Sequence, residues 1–478
     1  MNKLKKNFIY LSLYKILEML LPMITSPLLS RRLGAEALGT YSYTYSIVSI
    51  FAVIAQLGIY NYGMREIAKV RDDKEKLNQT YSDIFFVHII SSILVTIIYF
   101  FSIFLFFNKD ILIFIIQGGV LLSVILDNAF LFVGIENVKT ITIRDAIAKF
   151  TTFILVILLV KNSNDLILYS IIMVLGTLAC RMISLIYARK FVRLVKPSLK
   201  RCKRHIKPMI ILMIPILAST IYQSMDKIMI EFLYGKEYVG YYECASKGLI
   251  PRNIITVLGT VMCPHIANLY AQGQINVVTK KINESLTISM VMSYLFAFGI
   301  TSIAKEFAPL FWGKDFSICS SMLIGISFTI PCWTIGEVIR NQYLLPIGRD
   351  KEYMISFVLG VIVNLILNLI LIPKYGAMGA IVSTIIAELV MSIVQMYLAR
   401  GKINYFRSII DSIPYLFISI IMLIFVRLIS KIITGNLFKF VVIEVITGAI
   451  VYVLLVSIYE LATKKKLILN IILKNKLK

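Results

Sequence analysis

The stretch LGAEALGTY, residues 33–41, separates the first long apolar segment of this chain from the second, and a related stretch recurs in the second half. Residues 234–242 read YGKEYVGYY, so a glycine, a glutamate, a second glycine and a tyrosine recur at identical spacing. Each copy follows an apolar run that prolines interrupt, which indicates an internal duplication. Because glycine tolerates positive φ, we expect Gly34 and Gly235 to take the left-handed conformation that ends one helix and lets the next begin.

The composition indicates a membrane protein. Of the 478 residues, 58% are hydrophobic and 16% are charged, and the mean hydropathy is +0.83, values that exclude an ordinary soluble protein of this length. Apolar runs of roughly 18 to 25 residues, the length that a helix needs to cross the hydrocarbon layer, repeat along nearly the whole chain. We therefore predict an all-α polytopic membrane protein with no separate soluble domain.

The net charge of +24 does not by itself indicate a nucleic-acid partner. Lysines and arginines form short clusters between the apolar runs, alternately strong and weak, as membrane topology requires. The six cysteines show no CxxC spacing and the chain has three histidines, so we expect no disulfide, no metal site and no cofactor. No catalytic-serine, phosphate-binding or dinucleotide motif occurs in a workable context, and we expect no catalytic residues and no enzyme activity.

The apolar runs predict about fourteen crossings, with boundaries good to about four residues. Six fall in the first half, six in the second, and two follow. In chain order, the predicted helices are 8–30, 40–62, 82–107, 111–135, 144–161, 166–189, 207–233, 241–269, 283–304, 317–345, 353–373, 377–399, 410–430 and 437–461.

The charges between the runs predict the orientation. The dense Lys and Arg cluster around the middle of the chain assigns that linker to the cytoplasm, and the same bias places both termini there. Because six is even, the two lobes should be parallel repeats around a central cavity. The predicted regions are an N-terminal six-helix lobe (1–189), a basic cytoplasmic linker (190–206), a C-terminal six-helix lobe (207–400), and two further helices with a basic cytoplasmic tail (401–478).

Ionisable side chains inside crossings are functional candidates, because each costs about 2.5 to 3.5 kcal/mol on insertion. Some stand three or four residues from an opposite charge, where one helix face can pair them. For these residues a structural role and a cavity role both stay open. The pairs are Lys15 with Glu18, Lys227 with Glu231, Glu243 with Lys247, and Glu337 with Arg340.

A second group has no opposite charge at helical spacing, so its partners must come from another helix, water or substrate. Arginine can snorkel to the interface from a position near a helix end, which accounts for Arg181. Arg252 instead lies near the middle of its crossing beside Pro251, which frees backbone groups that only protein or water can satisfy. We therefore expect Arg252 to line a water-filled cavity and to act on substrate or in gating. The group comprises Asp127, Arg181, Asp226, Arg252 and Glu388.

Three stretches resemble a known family. They are PMITSPLLSRRLGAEALGTYSYTYSI (22–47), LGIYNYGMREIAKVRDD (57–73) and NLILNLILIPKYGAMGAIVSTIIAE (364–388). The chain resembles, over about residues 8–400, the polysaccharide repeat-unit flippases of the O-antigen and capsule type, in the multidrug/oligosaccharidyl-lipid/polysaccharide exporter superfamily. The resemblance implies a protein of the bacterial cytoplasmic membrane that exports polyprenyl-diphosphate-linked oligosaccharides by alternating access, for surface polysaccharide biosynthesis.

The implied substrate is anionic, so cationic residues in the cavity are expected to bind it. We expect Arg252, Lys227 and Lys15 to do so, with Arg340 a further candidate near the cytoplasmic mouth. These assignments rest on depth in the membrane, because no motif residue of the family transfers onto them. The expected partners are the lipid-linked oligosaccharide, membrane lipids and a polysaccharide polymerase.

Two other functions stay open. A multidrug or cation antiporter of the same fold would use isolated carboxylates, and Asp226, Glu388 and Asp127 are candidates for such ion coupling. A membrane polysaccharide polymerase or ligase would need a sizeable external loop, and the longest one predicted is only 305–316.

Overall fold

The computed structural model describes residues 3–400, 405–432 and 435–463, except the side chains of residues 3–16, 138, 260 and 261. Every regular element in this described part is helical, which confirms the predicted all-α class. The first series of helices is α1 (Lys3–Gln56), α2 (Ile59–Val70), α3 (Lys74–Phe106), α4 (Ile111–Ile125), α5 (Ala129–Gly134), α6 (Val138–Leu159), α7 (Leu166–Ala188) and α8 (Leu199–Tyr234).

A second series of helices follows Gly235. The chain divides into two compact units, residues 1–243 and 244–478. The second series of helices lies mostly in the second unit, and the boundary between the units falls inside the first helix of this series. A 3₁₀ turn (Ile250–Arg252) and a π-helical turn (Arg340–Leu344) interrupt the series. Its helices are α9 (Lys236–Lys247), α10 (Asn253–Ala271), α11 (Ile275–Trp312), α12 (Cys319–Ser327), α13 (Thr329–Ile339), α14 (Asp350–Tyr375), α15 (Ala377–Leu398), α16 (Tyr405–Ser430) and α17 (Leu437–Thr463).

Each predicted crossing coincides with helix in the described chain, although several helices extend beyond the predicted ends. Twelve helical segments of the described residues are long and apolar enough to cross a membrane, and the first, 17–70, is long enough for two crossings. The more highly charged α6 lies outside that set. Fourteen crossings, and the predicted lobes with their boundaries, stay predictions. The predicted external loop 305–316 is wrong in extent, because α11 continues to Trp312.

The two copies of the repeated stretch have the same backbone geometry. Gly34 has φ 78° and ψ 176°, and Gly235 has φ 87° and ψ 173°. The positive φ was expected, but a ψ near 175° is an extended conformation rather than the left-handed helical one. Residues other than glycine are nearly excluded from this combination of positive φ and extended ψ, so the geometry explains why glycine occupies both positions.

The copies also contact each other reciprocally. A Cβ atom added to Gly39 would lie 1.7 Å from the carbonyl oxygen of Lys236, and one added to Gly240 would lie 2.0 Å from that of Ala35. Each glycine therefore meets the residue that follows the kink glycine of the other copy. Small residues allow helix backbones to approach closely inside a membrane. The duplicated stretches thus cross each other through glycine-to-backbone contact.

The basic linker before α8 is shorter than predicted and is docked on the start of α3. Helix α8 begins at Leu199, so the basic residues from 200 to 207 lie on its first turns. The backbone N–H groups of Arg193 and Val195 donate to the Asn78 and Ser82 side chains at 2.8 and 3.0 Å. Asp83, which is 1% exposed, accepts from the Ser198 N–H at 2.9 Å and from Arg201 Nε at 2.7 Å. The start of α8 is therefore fixed to α3.

Candidate functional site

Two of the candidate residues, Asp226 and Lys227, are adjacent on α8 and contact the second half of α9. The Tyr242 hydroxyl donates to Asp226 Oδ2 at 2.6 Å, and Lys227 Nζ lies 2.7 Å from Glu243 Oε2. Ser42 of α1 donates to the same Glu243 oxygen at 3.0 Å. The spacing-based pairing of Lys227 with Glu231 is therefore wrong. The charge of Lys227 is compensated across helices, at the junction of α1, α8 and α9.

Asp127 and Arg181 lie opposite each other in the first unit. Arg181 Nη1 is 2.9 Å from Asp127 Oδ1, and the same oxygen accepts from the Ala129 N–H at 3.0 Å. Asp127 stands in the break between α4 and α5, where its carboxylate satisfies a backbone donor that the break exposes. This pairing, across helices rather than along one, favours a structural role for both residues over an ion-coupling role for Asp127.

Arg252 lies at a break in its helix, as the neighbouring proline predicted. Helix α9 ends at Lys247, Arg252 closes the 3₁₀ turn, and α10 begins at the next residue. Its guanidinium carbon lies 5.1 Å from the centre of the Trp333 ring on α13. No carboxylate of the described chain lies within 4.0 Å of this half-buried arginine. Its positive charge is therefore available to an anionic ligand.

The other candidates are placed differently. Arg340 forms the predicted ion pair with the buried Glu337, and its guanidinium lies 5.6 Å from the Tyr353 ring centre. Glu388 is half-buried on α15. Lys15 is on α1, but its side chain lies outside the described residues. Among these candidates, Arg252 is the partly buried cation whose charge is not neutralised by any carboxylate of the described chain.

Sequence reasoning missed the aromatic residues that contact the candidates. Trp333 lies over Arg252, and Tyr242 holds Asp226. A cation over a Trp face gains about 0.5 to 2 kcal/mol, which fixes the guanidinium without neutralising its charge. Tyr242 belongs to the repeated stretch, so its recurrence was a signal. Trp333 carried no comparable signal, because an isolated Trp in an apolar run is ordinary in a membrane helix.

Two family models match this chain. The model described as "Polysaccharide biosynthesis protein" matches residues 4–270, and the model described as "Lipid II flippase MurJ" matches residues 146–449. Each match covers more than half of the 478 residues.

Individual relatives match along nearly their whole length. A protein assigned as an O-antigen transporter in Shigella dysenteriae is 23% identical over 394 residues, which cover 81% of this chain and 98% of the relative. The capsular polysaccharide biosynthesis protein CapF of Staphylococcus aureus is 24% identical over 418 residues, which cover 82% of this chain and 98% of the relative.

Solved structures share the fold. The lipid II flippase MurJ in an inward closed conformation superposes with a TM-score of 0.79 at 18% identity, covering 96% of this chain and 100% of that one. An inward-facing multidrug resistance transporter of the MATE family superposes with a TM-score of 0.59 at 16% identity, covering 82% and 97%. From the extent of the two model matches, the chain belongs to the polysaccharide biosynthesis protein family and to the MurJ family, within the superfamily that the sequence resembles.

Proposed function

We propose that this protein is a flippase that moves polyprenyl-diphosphate-linked oligosaccharide repeat units from the inner to the outer leaflet of the cytoplasmic membrane by alternating access. One observation carries the proposal: relatives assigned to O-antigen transport and to capsule biosynthesis align over 98% of their own length. The partly buried, uncompensated Arg252 supports it, because a guanidinium suits recognition of a diphosphate.

A multidrug antiporter of the same fold is the second candidate. The superposition on the MATE family transporter supports the shared fold alone. Two of the three carboxylates considered for ion coupling differ from the isolated acids that this function favours, because Asp127 pairs with Arg181 and Asp226 accepts a hydrogen bond from Tyr242. Glu388, half-buried on α15, is the third of these carboxylates.

The function can be tested in a strain from which the gene is deleted. Without the flippase, the lipid-linked repeat unit should stay in the inner leaflet. Surface polysaccharide should then disappear while its lipid-linked precursor accumulates. Expression of this chain should restore the polymer. Restored drug resistance with no restored polymer would favour the antiporter. A polymerase should act on units that this protein delivers, which makes it the expected functional partner.

Removal of the Arg252 guanidinium is expected to impair transport through loss of contact with the diphosphate. A hydrogen bond to a charged group contributes about 1.5 to 3 kcal/mol, so Arg252→Ala should slow flipping by about tenfold to a hundredfold. Arg252→Lys should retain part of the rate if charge alone matters, and little if bidentate contact does. Flipping is measured in proteoliposomes as the loss of protection of a labelled lipid-linked oligosaccharide.

The exposed Arg193 provides a matched control, since its backbone N–H makes the linker contact and its side chain does not. Arg193→Ala should flip substrate at the parental rate. Normal flipping by Arg252→Ala at normal expression would exclude Arg252 from the substrate site.

The proposed orientation places both termini and the linker in the cytoplasm, which is the side where basic residues accumulate. In a cysteine-free background, Lys200→Cys should resist a membrane-impermeant thiol reagent in intact cells and react after the cells are opened. Lys314→Cys, after the end of α11, should react in intact cells. Both lysines are exposed, so access alone should separate them. The reverse labelling pattern would invert the topology.

A further inference from the structure

The C-terminal helices α16 and α17 meet α11 at a cluster of three charged residues. Arg427 on α16 donates from Nη1 to Glu306 Oε2 on α11 at 2.8 Å. Glu444 Oε1 on α17 lies 3.6 Å from the same nitrogen. Helices α11 and α16, which pack against α17, thus each present a charged group to Glu444. One guanidinium faces two carboxylates, so the fully ionised cluster would carry one net negative charge.

Glu444 is the most deeply buried member of the cluster. Its side chain is 0% exposed, whereas those of Glu306 and Arg427 are 15% and 28% exposed. Neither Glu444 carboxylate oxygen has a hydrogen-bond partner in the described chain. An ionised carboxylate buried without donors is unfavourable, and a second carboxylate on the same arginine adds repulsion. A bound proton removes both costs.

The cluster is also within reach of water. Helix α11 ends at Trp312, α16 ends at Ser430 and α17 begins at Leu437, so each charged residue lies within about two turns of a helix end. The partial exposure of Glu306 and Arg427 gives protons a route to Glu444. A metal ion is disfavoured here, because cations such as Ca²⁺ need six or more oxygen ligands and the guanidinium would repel them.

We propose that Glu306, Arg427 and Glu444 form a proton-binding site that holds one exchangeable proton at neutral pH. The site is distinct from the residues around Arg252, and it does not depend on the proposed transport function. Its ligand is the proton itself, shared between two carboxylates that a single guanidinium cannot neutralise.

The test is infrared spectroscopy of the full-length protein in lipid nanodiscs, where the carbonyl stretch of a protonated carboxyl is resolved from that of a carboxylate. The parent protein should show one protonated carboxyl that both Glu444→Gln and Glu306→Gln remove, because the remaining carboxylate then pairs with Arg427. Arg427→Gln should add a second protonated carboxyl. Raising the pH should remove the parental band, since the proton exchanges with solvent.

Glu352→Gln is the matched control, because Glu352 forms a single ion pair with Arg349 at 2.7 Å. This substitution should leave the band unchanged. Elution as a monodisperse peak establishes folding, and if Glu444→Gln fails this check, Glu306→Gln and Arg427→Gln carry the test. Absence of the band in the parent protein, or its persistence in Glu306→Gln, would overturn the proposal.

Discussion

Replacement of Gly240 by alanine is expected to separate α1 from α9 and to lower the thermal stability of the purified protein markedly. The added Cβ would lie 2.0 Å from the carbonyl oxygen of Ala35, which is backbone and cannot rotate away. Overpacking a tight contact typically costs about 1 to 3 kcal/mol, and more where backbone must move. Gly39→Ala should have a similar effect, because its Cβ would lie 1.7 Å from the carbonyl oxygen of Lys236.

The reciprocity of the crossing makes a sharper prediction for the double variant. Either alanine alone forces the two helices apart, so the second should then find room, and the Gly39→Ala/Gly240→Ala protein should lose much less stability than the sum of the single losses. Gly299→Ala is the matched control, because nothing lies within 4 Å of the added Cβ on α11. Stability is measured as the thermal unfolding midpoint in detergent.

Additive losses in the double variant would show that the glycines act independently and would contradict the crossing. A loss with Gly299→Ala as large as that with Gly240→Ala would mean that any added methyl group is harmful. A second contact joins α1 to α9, since the Ser42 hydroxyl donates to Glu243 Oε2 at 3.0 Å.

The repeated stretch shows how far sequence reasoning reaches. Spacing identified the duplication and both kink glycines, because glycine alone has this backbone freedom and its recurrence at a fixed spacing can be recognised in the sequence. It could not reveal that Gly39 and Gly240 cross each other, because a contact between distant segments has no local signature. Their ψ values were also missed, since positive φ alone does not distinguish the left-handed helical region from the extended one.

For charged residues too, the sequence was informative only where the signal was local. Arg252 was singled out because its depth in the predicted crossing and its neighbouring proline are both local properties, and the predicted crossing does break there. The spacing rule failed for Lys227, whose partner is Glu243 rather than Glu231, because packing between helices outweighed a pairing of a few tenths of a kcal/mol along one helix. Glu444 was overlooked for a related reason, since its importance comes from two other helices.

The membrane potential is expected to drive export. With the cell interior negative, outward movement of anionic charge is favourable by about 2.3 kcal/mol per charge per 100 mV. A diphosphate with about two charges would gain roughly twice that, which corresponds to about a thousandfold change in the equilibrium distribution at 100 mV. The full gain requires that Arg252 and the other cavity cations stay fixed in the field while the substrate moves.

The competing hypothesis loads a proton or Na⁺ on a carboxylate such as Asp226 or Glu388 during the return step, so that transport depends on an ion gradient. Proteoliposomes separate the two when a potassium diffusion potential is clamped in the absence of proton and sodium gradients. Voltage-driven export predicts that flipping rises with the imposed potential and reverses with its sign. Glu388→Gln should then leave the voltage response intact, because a fixed neutral side chain removes an ion site without altering the substrate charge. The voltage-driven hypothesis would be rejected if flipping were independent of the potential and depended on a pH or sodium gradient. If Glu388→Gln then removed the dependence on that gradient, coupling would be assigned to the Glu388 carboxylate.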